Sequence, residues 1–401
     1  MTKLPKNAVF PEEERKRGFM LEGSSFLSDN IHKIDTSEIR RVFDLAQRLE
    51  NPINLSIGQS DLPVPLPVQE ELIKAIRDGK TGYTPTAGIL PLREAIAHKW
   101  QTQNGFAVSP ENILVSAGVA PLLFLLFETI INPQDHVLLI DPYFLIYPAL
   151  LKYRGARLHF LREDFDSDDI ERLLEQKIPL KAIVFSTPSN PTGRILEKEK
   201  LSLLIKLADK TGALLVSDEI YEVFDYDKKF VSTASLYPTG TLTLSGLSKS
   251  HSMTGLRIGY IGAPENLAPI VRKMATLQQY TVVCAPQPSQ WAAIVALSTP
   301  VSEGVARMGR RRDLCQRLLK QCTSFPSPDG AFYIYPEIPV DSSIFVEEAI
   351  HRRLLLVPGY IFSQNRYHVR ISYAQREDVL EEGLQIFCDL VRQLREEPSK
   401  V

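Results

Sequence analysis

The 401-residue sequence has little of what would commit a chain to metal, membrane or nucleic acid. Its four cysteines, Cys284, Cys315, Cys322 and Cys388, show no CxxC spacing and have no clustered histidines beside them. That argues against a zinc site and against a disulfide scaffold, and it fits a reducing compartment. No metal centre is therefore expected. The formal net charge of −2 leaves no clustered basic excess of the kind a nucleic-acid footprint needs. The nearest candidates are RRR at 310–312 and RKR at 15–17, and the latter follows three glutamates and reads as a solvated face. The most apolar run, PLLFLLF at 121–127, is far short of the roughly 20 residues that span a bilayer. The first twenty residues contain no apolar signal core and are not acid-poor, so neither a secretory signal nor a transit peptide is expected. A cytoplasmic protein without nucleic-acid or membrane partners follows as the expectation.

What is present is an ordinary globular balance, 44% hydrophobic and 23% charged. The length suffices for two domains, because single cores stop growing at roughly 250–300 residues. Residues 1–30 read as an arm. Helical periodicity starts near Ser37, with Ile39, Val42, Phe43, Ala46 and Leu49 at helix-like spacing. Short β-rich runs then alternate with helical segments: ILVSA at 113–117, HVLLI at 136–140, AIVFST at 182–187, ALLVSD at 213–218, TLTLS at 241–245 and RIGYIG at 257–262. That alternation predicts an α/β domain over 61–298, a mostly parallel sheet flanked by helices. Beyond Pro300 the pattern changes to a long charged helix from 302 to about 321, short strands around 331–335 and 368–374, and a terminal helix from about Glu377 to Glu396. Residues 299–401, completed by 31–60, are expected to form a smaller α+β domain. No repeats or low-complexity tracts occur.

Ligands of such sheets bind outside the carboxyl ends of the parallel strands. AIVFST is followed by Pro188-Ser189-Asn190-Pro191-Thr192-Gly193, and ALLVSD ends in Asp218, followed by Glu219, Ile220 and Tyr221. TLTLS is followed by Gly246-Leu247-Ser248-Lys249, with Arg257 eight residues further on. An amide, a carboxylate, a phenol, an amine and a guanidinium therefore gather at one predicted rim.

With these residues in place, the chain resembles the class I/II aminotransferases of pyridoxal-phosphate fold type I, in colinear order over roughly residues 30–395. The matching stretches are IGQSD at 57–61, GYTPTAGILPLREAIA at 82–97, DPYF at 141–144, NPTG at 190–193, DEIY at 218–221, SKSHSMTGLRIGY at 248–260 and VRISYA at 369–374. Each is weak alone, and NPTG by itself is just a turn. Their order and separations carry the likeness.

The resemblance implies a transaminase that uses pyridoxal 5'-phosphate, an electron sink held covalently, flat and protonated at its ring nitrogen. Lys249 would supply the Schiff-base amine and afterwards serve as general base. Asp218 would face the pyridine nitrogen and favour its protonated form. Tyr221 and Asn190 would hydrogen-bond the 3′-oxygen, and Phe144 and Ile220 would cover the two faces of the ring unless they are simply core residues. Gly118, Val119 and Ala120 open a helix whose N–H groups suit the phosphate, with Arg257 as its bidentate partner. Many relatives carry a hydroxyl or lysine in that loop, and often a serine where this chain has Gly246; Ser245 or Ser248 is left to replace the hydroxyl. Tyr83 would reach the phosphate of a neighbouring subunit, which implies a homodimer with shared sites. Arg370 would grip the substrate α-carboxylate, and Gly58 is either a backbone contact to it or a tight turn. The segment from Ile34 to Ile39 and Tyr360 are candidate pocket lining.

The expected reaction is ping-pong transfer of an amino group from an L-amino acid to a 2-oxo acid, 2-oxoglutarate foremost. A C–S β-eliminating lyase on the same cofactor is the main alternative. An effector-binding regulator is disfavoured, because the fused helix-turn-helix module it would need is not in the sequence. No GxGxxG follows a predicted strand, which disfavours a nicotinamide dehydrogenase.

Overall fold

The computed structural model describes residues 23–34 and 49–396. The helix expected from Ser37 lies outside them, as does most of the 1–30 arm. Twelve strands are described, in chain order: β1 (Ile53–Asn54), β2 (Ile113–Ser116), β3 (His136–Asp141), β4 (Arg157–Arg162), β5 (Leu180–Ser186), β6 (Leu214–Asp218), β7 (Thr241–Gly246), β8 (Gly259–Gly262), β9 (Tyr333–Ile334), β10 (Leu354–Leu355), β11 (Val357–Pro358) and β12 (Val369–Ser372).

Seven of them form the central sheet in the order β2-β8-β7-β6-β5-β3-β4. Neighbours run parallel except β8, which is antiparallel to both β2 and β7. A parallel sheet is covered on both faces, so its strands read as continuous apolar runs. Successive side chains nevertheless alternate between the faces. Val137 and Leu139 of β3 join a core with Val184 of β5, Val216 of β6 and the helix Val119–Ile130. Leu138 and Ile140 join the opposite core, with Ile183, Leu215 and the helix Lys198–Thr211. The sequence signal is weakest for β4, whose arginine-flanked residues are mostly exposed or half-buried at the sheet edge. Charged edges of this kind discourage pairing with other chains.

The remaining strands lie with the C-terminal helices. β1 pairs parallel with β10, and β11, β12 and β9 form an antiparallel triplet. Their core gathers Ile53, Leu55, Phe332, Ile334, Phe345 and Ile371 against the helix Glu377–Glu396. That helix buries Leu380, Leu384, Phe387, Val391 and Leu394, one stripe at helical spacing. The same core takes in Ile220, Tyr221 and Phe224 from just beyond β6, so the core under the smaller sheets meets the central sheet at the rim where the polar residues gather.

One expectation is adjusted, that for the cysteines. Cys322 and Cys388 pair as a disulfide with a Cα separation of 5.5 Å, 66 residues apart, while Cys284 and Cys315 are free. One bridge is no scaffold, but a search for short spacings cannot see a pair so far apart. The RRR run at 310–312 is drawn into ion pairs: Arg311 grips both carboxylate oxygens of Asp61 at 2.7 and 2.8 Å, and Arg312 pairs with Asp227. Among the described residues no helix is long and apolar enough to cross a membrane, and no His/Cys/Asp/Glu group is placed to hold a metal.

Candidate active site

Asp218 ends β6 with its carboxylate buried. Oδ2 accepts a hydrogen bond from Tyr147 Oη at 2.8 Å, and Oδ1 accepts from the Ile220 N–H at 3.3 Å. Burial pushes its pKa up to about 6, opposed by the Tyr147 hydrogen bond and the nearby Lys249 charge. Tyr147 escapes the sequence reading. It stands three residues after Phe144, within the otherwise apolar FLIYPALL, and the two rings meet edge to face at 5.8 Å. A lone phenol in such a run is the signal that could have found it.

Lys249 follows β7 and extends into a cavity of about 370 Å³, where Nζ donates to Gly58 O at 2.5 Å. Desolvation lowers the amine to about 8 from an ordinary 10.5, helped by Arg370 and Arg257 and opposed by Asp218. The cavity is also lined by Gly58, Val119, Ala120, Phe144, Asn190, Asp218, Ile220, Tyr221, Ser248, Arg257 and Arg370. The structure thus brings together every predicted site residue except Gly118, which touches Arg257 from behind, and Tyr83, which is 87% exposed. Tyr360 is not part of this lining: its ring lies under Arg366, at 4.9 Å. Ile34 is half-buried and also outside it, and 35–39 lie beyond the described residues.

Arg370 on β12 is only 1% exposed, yet no carboxylate among the described residues pairs with it. Its Nη1 donates to Asn190 Oδ1 at 3.0 Å and its Nη2 to Ser56 O at 2.6 Å, while Nε has no partner. The guanidinium lies between the rings of Tyr333, at 4.6 Å, and Phe362, at 5.0 Å. A buried guanidinium stays charged, and a buried charge is costly unless an anion answers it. By accepting from Arg370, Asn190 leaves its Nδ2 as the end free to donate. Tyr333 is the second residue the sequence reading lacks: its Oη lies 2.8 Å from Tyr221 Oη.

At the other end of the cavity, Gly118 takes φ +102 and starts the helix Val119–Ile130 with no side-chain cap. The first-turn N–H groups of Val119 and Ala120 are thereby left for a ligand. A Cβ on Gly118 would lie 2.5 Å from Arg257 Nη2, so the glycine makes room for that guanidinium. Arg257 itself precedes β8 at φ +57, held by Nη1 donating to Thr254 O at 2.8 Å. The departure at Gly246 has a packing cause: a Cβ there would sit 2.8 Å from Ile258 O, too close for serine. Of the two candidate replacements, Ser245 turns away to donate to Glu222 Oε1 at 2.9 Å, whereas Ser248 lines the cavity together with Thr254.

Behind the site, Glu222 also receives Lys99 Nζ at 2.8 Å and Asn104 Nδ2 at 2.5 Å, all buried or nearly so. Removing one partner of a buried pair leaves the other uncompensated. Lys99→Met is therefore expected to lower unfolding stability by about 3–5 kcal/mol in chemical denaturation, whereas replacing both members together should lose much less.

Comparison with known proteins agrees with this geometry. Residues 50–387 match the profile of the family described as aminotransferase class I and II. The chain is 33% identical to a probable aspartate aminotransferase of Methanocaldococcus jannaschii, covering 91% of this chain and 99% of that protein. It is 35% identical to aromatic-amino-acid aminotransferase 2 of Thermococcus litoralis, covering 89% and 96%. The solved structure of the Thermus thermophilus aspartate aminotransferase with maleate superposes with a TM-score of 0.84 at 32% identity, over 91% of this chain and 99% of that one. The chain belongs to the class I and II aminotransferases and is a pyridoxal-phosphate-dependent enzyme of fold type I.

Proposed function

We propose that the enzyme moves the amino group of an L-amino acid to a 2-oxo acid, with 2-oxoglutarate as acceptor, through pyridoxal phosphate carried on Lys249. The observation that carries this reading is the pairing of opposite demands in one cavity. Lys249 offers an amine with a depressed pKa, and Arg370 is a buried cation that no carboxylate among the described residues pairs with. An α-amino acid is the ligand that presents an amine-bearing carbon beside a carboxylate. The cofactor also fits the remaining groups: open N–H donors and Arg257 for a phosphate, a buried carboxylate for a pyridinium, and Phe144 and Ile220 on the walls.

Pyridoxal phosphate, when bound, supplies the electron sink that lets the substrate Cα–H ionise. The chain's own residues do the rest. Arg257, Ser248 and the N–H groups of Val119 and Ala120 hold the phosphate end, next to Gly118. Asp218, its pKa raised to about 6 by burial, would favour a protonated ring nitrogen. Tyr221 and Asn190 donate to the ring oxygen. Arg370, with Gly58 and Asn190 beside it, would fix the substrate carboxylate and with it the orientation of Cα. Lys249 Nζ, its pKa lowered to about 8, would be the group that takes the proton from the substrate Cα.

The same proposal makes the enzyme a cytoplasmic homodimer, with Tyr83 of each copy reaching the other's phosphate. Tyr83 is exposed beside a helix, Leu66–Arg77, that leaves Leu66, Ile73 and Ile76 in solvent. Apolar residues exposed together in this way suit a subunit interface.

Two experiments bear on this reading. Initial rates with donor and acceptor varied together should give parallel double-reciprocal lines, whereas lines that intersect would rule out the ping-pong scheme. Capture of pyridoxal phosphate by the apoprotein should also depend on pH. Only the neutral amine attacks, and its pKa is lowered to about 8, so the capture rate should rise with pH and level off above that value. A rate still climbing toward pH 10.5, the ordinary lysine value, would mean that the amine is not desolvated as described.

A further inference from the structure

Tyr333 touches three separate parts of the site. It lies on β9, across the cavity from β6, and is buried. Its hydroxyl meets Tyr221 Oη at 2.8 Å, and its ring faces the Arg370 guanidinium at 4.6 Å. The hydroxyl also presses on Gly58, where a Cβ would lie only 2.3 Å from Tyr333 Oη. Gly58 in turn accepts from Lys249 Nζ through its carbonyl. One side chain therefore contacts the proposed 3′-oxygen donor, the proposed carboxylate clamp and the turn that receives the lysine.

The direction of the phenol–phenol hydrogen bond turns on what else Tyr221 can donate to. Tyr221 Oη is the single hydrogen-bond partner of Tyr333 Oη among the described residues. The same holds in reverse, so either phenol can donate as the pair stands; where the cofactor's ring oxygen offers Tyr221 an acceptor of its own, a Tyr333 proton left without one would cost about 1–3 kcal/mol, and it would go to Tyr221. Tyr221 then keeps its own O–H for the cavity, and accepting one hydrogen bond strengthens the one it donates. On the other side, an aromatic face at cation–π distance holds the plane of the guanidinium.

Building on the function proposed above, we propose that Tyr333 is a positioning residue with two separable tasks. Its hydroxyl polarises Tyr221 toward the cofactor's ring oxygen, and its ring holds Arg370 flat for the substrate carboxylate. Phenylalanine removes the first task and keeps the second; leucine removes both.

The test is an absorbance titration of the lysine-bound cofactor in reconstituted enzyme, together with steady-state kinetics. Tyr333→Phe should raise the pKa of the lysine-bound cofactor by about 0.5–1 unit, the equivalent of one hydrogen bond, and leave the donor KM within about twofold. In a Tyr221→Phe background, Tyr333→Phe should add no further shift, which a merely structural role would not produce. Tyr333→Leu should show the same pKa shift and a donor KM raised about tenfold or more. An unchanged pKa in Tyr333→Phe, or a full shift persisting without Tyr221, overturns the hydroxyl task. Equal KM values in the Phe and Leu variants overturn the ring task. Should the leucine variant not fold, alanine in place of Phe362 with Tyr333 intact reads the ring task, since it leaves one face of Arg370 covered and should raise KM less than tenfold. A wild-type enzyme with no titrating lysine-bound band would instead count against the cofactor assignment itself.

Discussion

In a Lys249→Ala variant, turnover is expected to fall by about 10⁴-fold or more, and the absorbance of lysine-bound cofactor should vanish. Both losses have one origin, because the same amine carries the cofactor and moves the Cα proton. Among the described residues no other lysine lines the cavity. Arg257 and Arg370 are guanidiniums, which do not deprotonate. The fold should survive, since Lys249 makes one hydrogen bond among the described residues, Nζ to Gly58 O, beside a 5.9 Å approach to the Tyr221 ring. The phosphate-facing groups are untouched, so the variant should still bind pyridoxal phosphate reversibly, with the spectrum of the free aldehyde. A variant that kept a lysine-linked band would move the attachment to another residue.

Arg370→Leu is the second large effect, and its sign differs between activity and stability. Truncating one partner of a buried charge–carboxylate contact costs about 2–5 kcal/mol, so kcat/KM should drop by roughly 30- to 5,000-fold. Arg370→Lys should recover little of it. A lysine cannot at once reach Asn190 Oδ1 and Ser56 O, lie flat between Tyr333 and Phe362, and offer a fork to a carboxylate. Stability should not follow activity downward. Without substrate, Arg370 is a buried cation that no carboxylate among the described residues answers, and leucine relieves that charge. The melting temperature of Arg370→Leu is accordingly expected to equal or exceed that of the parent, a trade common at binding sites. Lys249 reports the same change: Arg370 helps to lower its pKa, so the amine should titrate above about 8 in the variant. A melting temperature well below the parent's would show that Arg370 serves the core rather than the ligand.

The parts of this site that a sequence can display are those fixed by neighbours along the chain. Asp218, Ile220 and Tyr221 share one strand end, and Ser248 and Lys249 another. Buried parallel strands are continuous apolar runs, so their ends are visible and the residues after them follow. β4 stayed hidden because an edge strand flanked by arginines lacks that run. Tyr147 and Tyr333 stayed hidden for a different reason. Tyr333 is 112 residues from Tyr221, and Tyr147 is 71 from Asp218, so their roles exist only once the sheet and the C-terminal strands are packed together. The missing phosphate-cup hydroxyl shows the same limit. Gly246 looked like an anomaly until the Ile258 carbonyl was seen to occupy the space a serine needs. The Cys322–Cys388 pair, joining segments 66 residues apart, is another contact that only folding reveals.

The central claim is that amino groups are stored on the cofactor and passed on, rather than released. Reconstituted enzyme, given an amino donor and no acceptor, tests it most directly. The account predicts one equivalent of 2-oxo acid per site, conversion of the cofactor to its stable aminated form, and recovery of the starting spectrum on adding 2-oxoglutarate. Steady release of ammonia with the cofactor unchanged would contradict it and place the enzyme among the eliminating lyases instead.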